Sequence, residues 1–224
     1  MSAGGSSAEL IPDYGWTDAQ GEASHAYIGR AVCRALRHAA DDAGRPLASL
    51  RMFDAGCGNG ALLRTLAPLV RERAGCDASE AGIAIARRSN PDARIERLSV
   101  YDDLRAVYGA GWDVVVSTEV IEHLYSPRVF VARARELLAP NGTLILSTPY
   151  HGYLKNLALA ASNRFDAHMT ALWDGGHIKF WSYATLRQLL REQGFARFRF
   201  IGAGRVPWLW KSMVVSARLD GVAT

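Results

Sequence analysis

The stretch Phe53-Asp54-Ala55-Gly56-Cys57-Gly58-Asn59-Gly60 carries an apolar strand into a helix through a loop almost without side chains. Glycines at 56, 58 and 60 let main-chain N–H groups lie close to a ligand, and Asp54 puts a carboxylate within reach of a cationic or hydroxylated group. The spacing alone leaves the ligand open, because Gly56, Gly58 and Ala61 also satisfy the relaxed dinucleotide fingerprint. Cys57 stands inside the loop where a small side chain is needed, so its expected role is steric rather than nucleophilic.

Outward from this loop, short apolar runs alternate with longer amphipathic ones, the rhythm of a parallel sheet with crossover helices. Strands are expected at about 50–54, 73–76, 94–99, 112–118 and 142–147, and helices at about 61–72, 79–90, 126–139 and 182–193. Upstream, Ile28, Val32 and Leu36 recur at helical spacing within 24–42, so a helix should cap the sheet there. Downstream, runs at 195–201 and 212–219 flank a short Gly/Pro loop and form a hairpin, so one of the two must run antiparallel to the rest. Residues 148–181 are too long for a plain connection and are expected to form a lid or substrate insert. The domain division is thus 1–23 as a flexible segment or lid and 24–224 as one domain.

With 49% apolar and 21% charged residues the composition is that of a globular domain and excludes a disordered chain. The net charge of +4 comes from scattered arginines, with lysine scarce, so it reads as a solvated surface and disfavours nucleic acid as a partner. Cys33, Cys57 and Cys76 are odd in number and lack CxxC spacing, which points to reduced thiols. No apolar run is long enough to span a bilayer, and Met1 to Ala8 carry no hydrophobic signal core, so a cytoplasmic protein is expected.

Two acids follow the glycine loop. Asp77, ending the second strand, can accept both hydrogens of a ribose diol. Asp102, after the third strand, can accept from an adenine amino group beside the apolar wall of Tyr101; it is equally suited to capping a helix at 103–109. Ser79 is expected to cap the helix after Asp77.

In this order of motifs the chain resembles the class I S-adenosylmethionine-dependent methyltransferases over about residues 24–219, and in particular the ubiquinone-pathway O-methyltransferases of the type 11/12 group. The family's first motif matches Phe53 to Gly60, its ribose acid Asp77 and its adenine acid Asp102. Its fourth-strand motif matches Trp112 to Leu124, including Glu119-Val120-Ile121-Glu122-His123, and its fifth strand follows Leu137 to Leu146, with Asn141 where glycine is commoner. The resemblance implies an α/β, Rossmann-like doubly wound sheet of seven strands, mostly parallel, with an antiparallel last strand in the C-terminal hairpin. It also implies a transferase that binds S-adenosyl-L-methionine, releases S-adenosyl-L-homocysteine, and acts on a small-molecule acceptor. Asp54, Ala55, Gly56, Cys57, Gly58, Asn59, Gly60, Asp77, Ala78, Tyr101, Asp102 and Glu119 would then bind the donor. The Asn/Asp-Pro-Pro-aromatic motif of adenine N-methyltransferases is replaced here by Ser117-Thr118-Glu119-Val120, so methylation of a base nitrogen is disfavoured.

Glu119, Glu122 and His123 stand at i, i+3 and i+4 and would share one face of a helical turn. Some relatives, including RNA 2'-O-methyltransferases, bind a divalent metal at this motif with a later histidine, which His177 resembles. Metal-free relatives carry the same Glu-His pair beside the methionine moiety, and that reading is preferred. His177 then becomes the candidate general base, with His123 the second catalytic candidate. Tyr14, Trp16, His25 and Tyr27 lie near the expected open mouth of the sheet and suit either a flap or plain packing. The spacing at 152–162 fits an amphipathic lid for an apolar acceptor, packed rather than in contact with a membrane surface. The expected reaction is O-methylation of a small apolar or aromatic acceptor. Alternatives are metal-assisted RNA 2'-O-methylation or a non-catalytic donor-binding subunit, and a dehydrogenase is disfavoured by the closing hairpin.

Overall fold

A computed structural model describes residues 16–20, 23–169 and 171–220. Seven strands form one sheet in the order β3-β2-β1-β4-β5-β7-β6. The strands are β1 (Arg51–Ala55), β2 (Glu72–Asp77), β3 (Arg94–Arg97), β4 (Trp112–Thr118), β5 (Leu138–Pro149), β6 (Phe195–Ala203) and β7 (Ser212–Leu219). The first five pair in parallel, and β7 runs antiparallel to both β5 and β6, so the hairpin closes the sheet as its sequence required.

Both faces of the sheet are covered, which is why the strands read as continuous apolar runs. Phe53, Val115, Leu144, Leu146, Met213 and Val215 point into one core, and Met52, Val114, Val116, Ile145 and Val214 into the other. The period of two along each strand divides neighbours between these cores. The second core is roofed by α1 (Ala23–Ala43), whose Ile28, Val32, Ala35, Leu36 and Ala39 form its apolar stripe. The first is covered by α4 (Leu104–Tyr108), α5 (Pro127–Leu137) and α8 (Tyr183–Glu192). Ser182 caps α8 in a reciprocal capping box with Thr185, and Ser79 caps α3 (Glu80–Ser89) as expected.

Several boundaries depart from expectation. The helix expected over 61–72 is α2 (Ala61–Leu66) followed by a single 3-10 turn at Ala67–Leu69, because Pro68 cannot continue the α-helical ladder. Strand β3 stops at Arg97, and β5 begins at Leu138 rather than 142. Asn141 takes the left-handed conformation at φ +62° that its place in the β5 turn requires. The cap of α4 is Asp103, whose carboxylate accepts from Ala106 N–H; Asp102 does not take that role. The region 148–181 contains α6 (Tyr153–Ala161) and α7 (Phe165–Met169). No helix among the described residues is long and apolar enough to cross a membrane.

Candidate active site

The carboxyl ends of β1 and β4, adjacent strands whose connections run to opposite sides of the sheet, flank the crevice where open α/β sheets bind ligands. At the end of β1 the chain turns sharply, with Gly56 and Cys57 N–H both donating to Cys76 O at 2.8 and 2.9 Å. Gly56 has φ +83°, and a Cβ there would stand 2.5 Å from Val120 Cγ2. Only glycine satisfies the turn and the close approach together. Cys57 is buried and its thiol is pushed well above its ordinary pKa, first by burial and then by Asp54 and Asp77. That agrees with a steric role.

Asp77 organises the loop from β2. Its Oδ2 accepts from Gly58 N–H at 2.8 Å and its Oδ1 from Ser79 N–H at 2.8 Å. Asp54 is 1% exposed, and neither carboxylate oxygen has a hydrogen-bond partner among the described residues. Burial, reinforced by Asp77, raises its pKa to about 7. An unpaired buried carboxylate beside a glycine cradle suits a ligand that brings positive charge.

Asn59 takes a different part from the one its loop position suggests. Its Oδ1 accepts from Ala61 N–H, and its Nδ2 donates to Asp18 O and Gln20 O at 2.9 and 2.8 Å. Arg64 adds a bond to Ala19 O at 2.6 Å. These bonds hold the strap Trp16–Gln20 on the glycine loop, and the indole of Trp16 lies over Gly58 and Gly82. Of the other N-terminal aromatic residues, Tyr14 and the side chain of His25 lie outside the described residues, and Tyr27 packs beneath the Lys211 ammonium. Asp102 accepts from Ser99 N–H at 2.8 Å, and the Tyr101 hydroxyl accepts from Ser126 N–H at 3.1 Å.

Beyond β4 the residues Glu119, Glu122 and His123 do not share a helical face as their spacing implied. Glu119 precedes the Ile121–His123 3-10 turn and is left-handed, at φ +54°. Such a backbone in a non-glycine residue is strained and clusters at functional sites. The carboxylate of Glu119 accepts from Ser147 Oγ at 2.8 Å and Ser212 Oγ at 3.2 Å, joining β5 to β7. Glu122 is buried instead, and burial followed by the Glu119 charge raises its pKa.

The turn is fastened to the segment that carries His177. Ile178 and Lys179 N–H both donate to Glu122 O at 2.9 Å, and Trp181 Nε1 donates to Ile121 O at 3.3 Å. His123 Nδ1 donates to Gly175 O at 2.7 Å, which leaves the lone pair on Nε2. The rings of His123 and His177 stand 4.9 Å apart, with Trp173 against both. Burial lowers the pKa of both imidazoles; His177, further depressed by His123, His168 and Lys155, falls to about 4. Glu122, His123 and His177 each offer one ligand atom, and these atoms lie within 4.8 Å of one another.

The family profile described as "Methyltransferase domain" matches residues 24–197. The chain belongs to this methyltransferase domain family. It is 33% identical over 173 residues to a ubiquinone biosynthesis O-methyltransferase of Azorhizobium caulinodans, covering 73% of this chain and 65% of that protein. The identity is 36% over 121 residues to the protein of the same name from Mesorhizobium japonicum, covering 53% of this chain and 48% of that one. The chain thus spans between about half and two thirds of the length of these curated relatives. Among solved structures, magnesium protoporphyrin IX methyltransferase from Synechocystis with bound S-adenosylhomocysteine superposes with a TM-score of 0.64 at 20% identity, covering 91% of this chain and 90% of that one. The CurJ carbon methyltransferase superposes with a TM-score of 0.66 at 17% identity, covering 86% and 54%. These superpositions establish that the methyltransferase domain has the seven-stranded fold of those enzymes.

Sequence reasoning overlooked Ser147 and Ser212 as partners of Glu119, and it overlooked Lys155, His151 and His168 altogether. Lys155 lies in α6 and is 5% exposed. Its only sequence signal is a lone cation in an apolar helical run. Two clefts of about 240 and 390 Å³ lie at the amino ends of the strands and do not touch the glycine loop.

Proposed function

We propose that this chain transfers the methyl group of S-adenosylmethionine to a hydroxyl oxygen of a small apolar or aromatic acceptor. The observation that carries this reading is the unpaired, fully buried carboxylate of Asp54 beside the glycine turn. A sulfonium-bearing amino acid supplies the missing positive charge.

In this reading Ala55, Gly56, Cys57, Gly58 and Gly60 approach the amino-acid portion through their backbone. Asp77 and Ala78 meet the ribose, and Asp102 with Tyr101 the adenine. Asn59 acts through the strap that it holds. Glu119 and His123 face the methionine end. The donor carries a methyl group already activated by the sulfonium charge; the acceptor oxygen forms the new C–O bond as the C–S electron pair returns to sulfur. What remains for the protein is alignment, exclusion of water and removal of one proton. His177 is neutral at pH 7 and accepts the hydroxyl proton, while His123, locked by Gly175 O, orients it. Residues 24–224 act as one domain, 148–181 as the acceptor insert, and the segment before residue 24 as a lid.

Calorimetric titration with S-adenosylmethionine and S-adenosylhomocysteine, followed by methyl-transfer assays on catechols, tests the proposal. Uptake of both, with a methyl ether formed, is the expected outcome. A well-folded protein that takes up neither ends it.

The convergence of Glu122, His123 and His177 favours a second reading, in which these three hold a divalent cation. Neutral imidazoles and a carboxylate are a fitting donor set. Glu119, engaged by Ser147 and Ser212, stands outside this group. Such an ion would lower the pKa of the acceptor hydroxyl. Elemental analysis of the purified protein and activity in excess chelator decide between the readings: full activity without metal leaves His177 as the base.

A further inference from the structure

Lys155 is the one lysine of the insert helices α6 and α7, and it is buried where α6 meets the start of β7. Its ammonium carries three donors, yet among the described residues it makes a single hydrogen bond, to Lys211 O at 3.2 Å, longer than charge-assisted bonds usually are. Lys155 forms no ion pair among the described residues. One acid, Glu119, acts on it electrostatically, but its oxygens are engaged by two serines and it makes no direct ion pair with Lys155. A buried ammonium whose donors meet no carboxylate directly is costly unless a ligand completes it.

Apart from Glu119, the groups that act on it or on its neighbours are basic and aromatic. His151 is buried, with its ring 5.6 Å from that of His168 and 5.2 Å from that of Phe180. Arg205 and Lys155 both act on His168, and Lys155 acts on His151 and His177 as well. The candidate base His177, the aromatic ring of Phe180 and the positive charge of Lys155 therefore lie within electrostatic or ring-contact reach of this histidine pair.

We propose that Lys155, with His151 and His168 beside it, forms an oxyanion subsite, so that the acceptor is an aromatic or apolar molecule bearing a carboxylate or phosphate as well as the hydroxyl to be methylated. This deepens the methyl-transfer reading and rests on it. Lys155 is a specificity-determining residue here: it fixes the acceptor's charged end and so presents the hydroxyl to His177.

The test uses the S-adenosylhomocysteine-loaded protein, titrated with benzoate, phenyl phosphate and neutral benzyl alcohol, and compares wild type with Lys155→Met and Lys155→Arg. Wild type should bind one of the two anions, and which one identifies the acid. Lys155→Met should weaken that anion at least tenfold and leave benzyl alcohol and S-adenosylhomocysteine unchanged, while Lys155→Arg should stay within threefold of wild type. Without probe, Lys155→Met should melt at or above the wild-type temperature, because it relieves an uncompensated charge; a purely structural pin would melt lower. Anion binding equal in wild type and Lys155→Met, or no uptake of either anion by a wild type that binds S-adenosylhomocysteine, overturns the subsite alone. Failure to bind S-adenosylhomocysteine as well would overturn the reading beneath it.

Discussion

The proposed donor half and the proposed acceptor half of the crevice are built by opposite means. On the donor side, backbone groups and strand ends do the holding: Gly56 and Cys57 hang from Cys76 O, and Asp77 ties Gly58 to the start of α3. On the acceptor side, side chains from distant segments converge. Glu119 meets Ser147 and Ser212, His123 meets Gly175, and Lys155 meets Lys211. Exposure separates the halves too. The glycine loop is almost wholly buried, whereas Tyr153, Leu154, Leu157, Leu172 and Trp208 of the insert and hairpin loop stand exposed. In the proposed reading, a backbone-built donor cradle beside an acceptor side built from side chains lets one fold keep its methyl source while its acceptor changes.

The largest expected effect breaks the comparison at its chemical centre. His177→Ala should lower kcat by roughly 10²- to 10⁴-fold, the usual contribution of a positioned base, and leave S-adenosylhomocysteine affinity within twofold. Parallel loss of donor affinity would mean that the halves are not separable, and kcat within threefold of wild type would remove His177 from the chemistry. Next in size, Asp77→Asn should weaken the donor roughly 10- to 100-fold, since it removes the charge from two N–H···O bonds and from the proposed ribose contact. Acceptor KM measured at saturating donor should hold steady, and a large rise would show coupling across the crevice.

How much of this was legible in the sequence follows the same division. Gly56, Gly58 and Gly60 announce themselves because a positive φ is a local demand that few residues meet, and the parallel sheet with an antiparallel strand follows from the rhythm of apolar runs and the closing hairpin. The role of Asn59 was hidden, because whether an amide faces a ligand or a strap depends on where residues 18–20 run. The i, i+3, i+4 spacing misled for Glu119, since the turn is 3-10 and starts two residues later. Lys155 was invisible for a related reason: α6 is an apolar run of ordinary appearance, and only packing against Lys211 buries the one charged side chain. The apolar residues of α6 were expected to pack, yet Tyr153, Leu154 and Leu157 remain exposed.

A third effect, up to about tenfold per pH unit, sharpens the donor side. Asp54 has a folded pKa near 7, above its ordinary carboxylate value, so the unliganded fold holds that proton more tightly than the unfolded chain does. The associated stability is therefore fully present below about pH 4 and is lost as pH rises through 7, by an upper bound of roughly 4 kcal/mol from a shift of about three units. A cationic donor reverses the preference by favouring the carboxylate. Melting temperatures without ligand should fall from pH 5 to 8, and the increment given by S-adenosylmethionine should grow over the same interval. Asp54→Asn should flatten both trends, and an unliganded wild type whose stability rises over that range would contradict the buried carboxylate.

The smallest effect concerns the strap, which lies over the glycine loop. Asn59→Ala removes two bonds to Asp18 O and Gln20 O and the one that Asn59 Oδ1 accepts from Ala61 N–H. Neutral hydrogen bonds are worth about 1 kcal/mol each in net terms, so the strap should open more often without the sheet melting. Donor dissociation should then quicken about three- to tenfold while the association rate changes little, because Trp16 covers Gly58 only once the strap is down. Trp16→Ala should reproduce the faster dissociation without disturbing the α2 terminus, which separates loss of the cover from loss of the Ala61 bond. If Asn59→Ala quickens dissociation and Trp16→Ala does not, then the amide acts on the glycine loop itself, and the donor cradle is less self-sufficient than its backbone bonds imply.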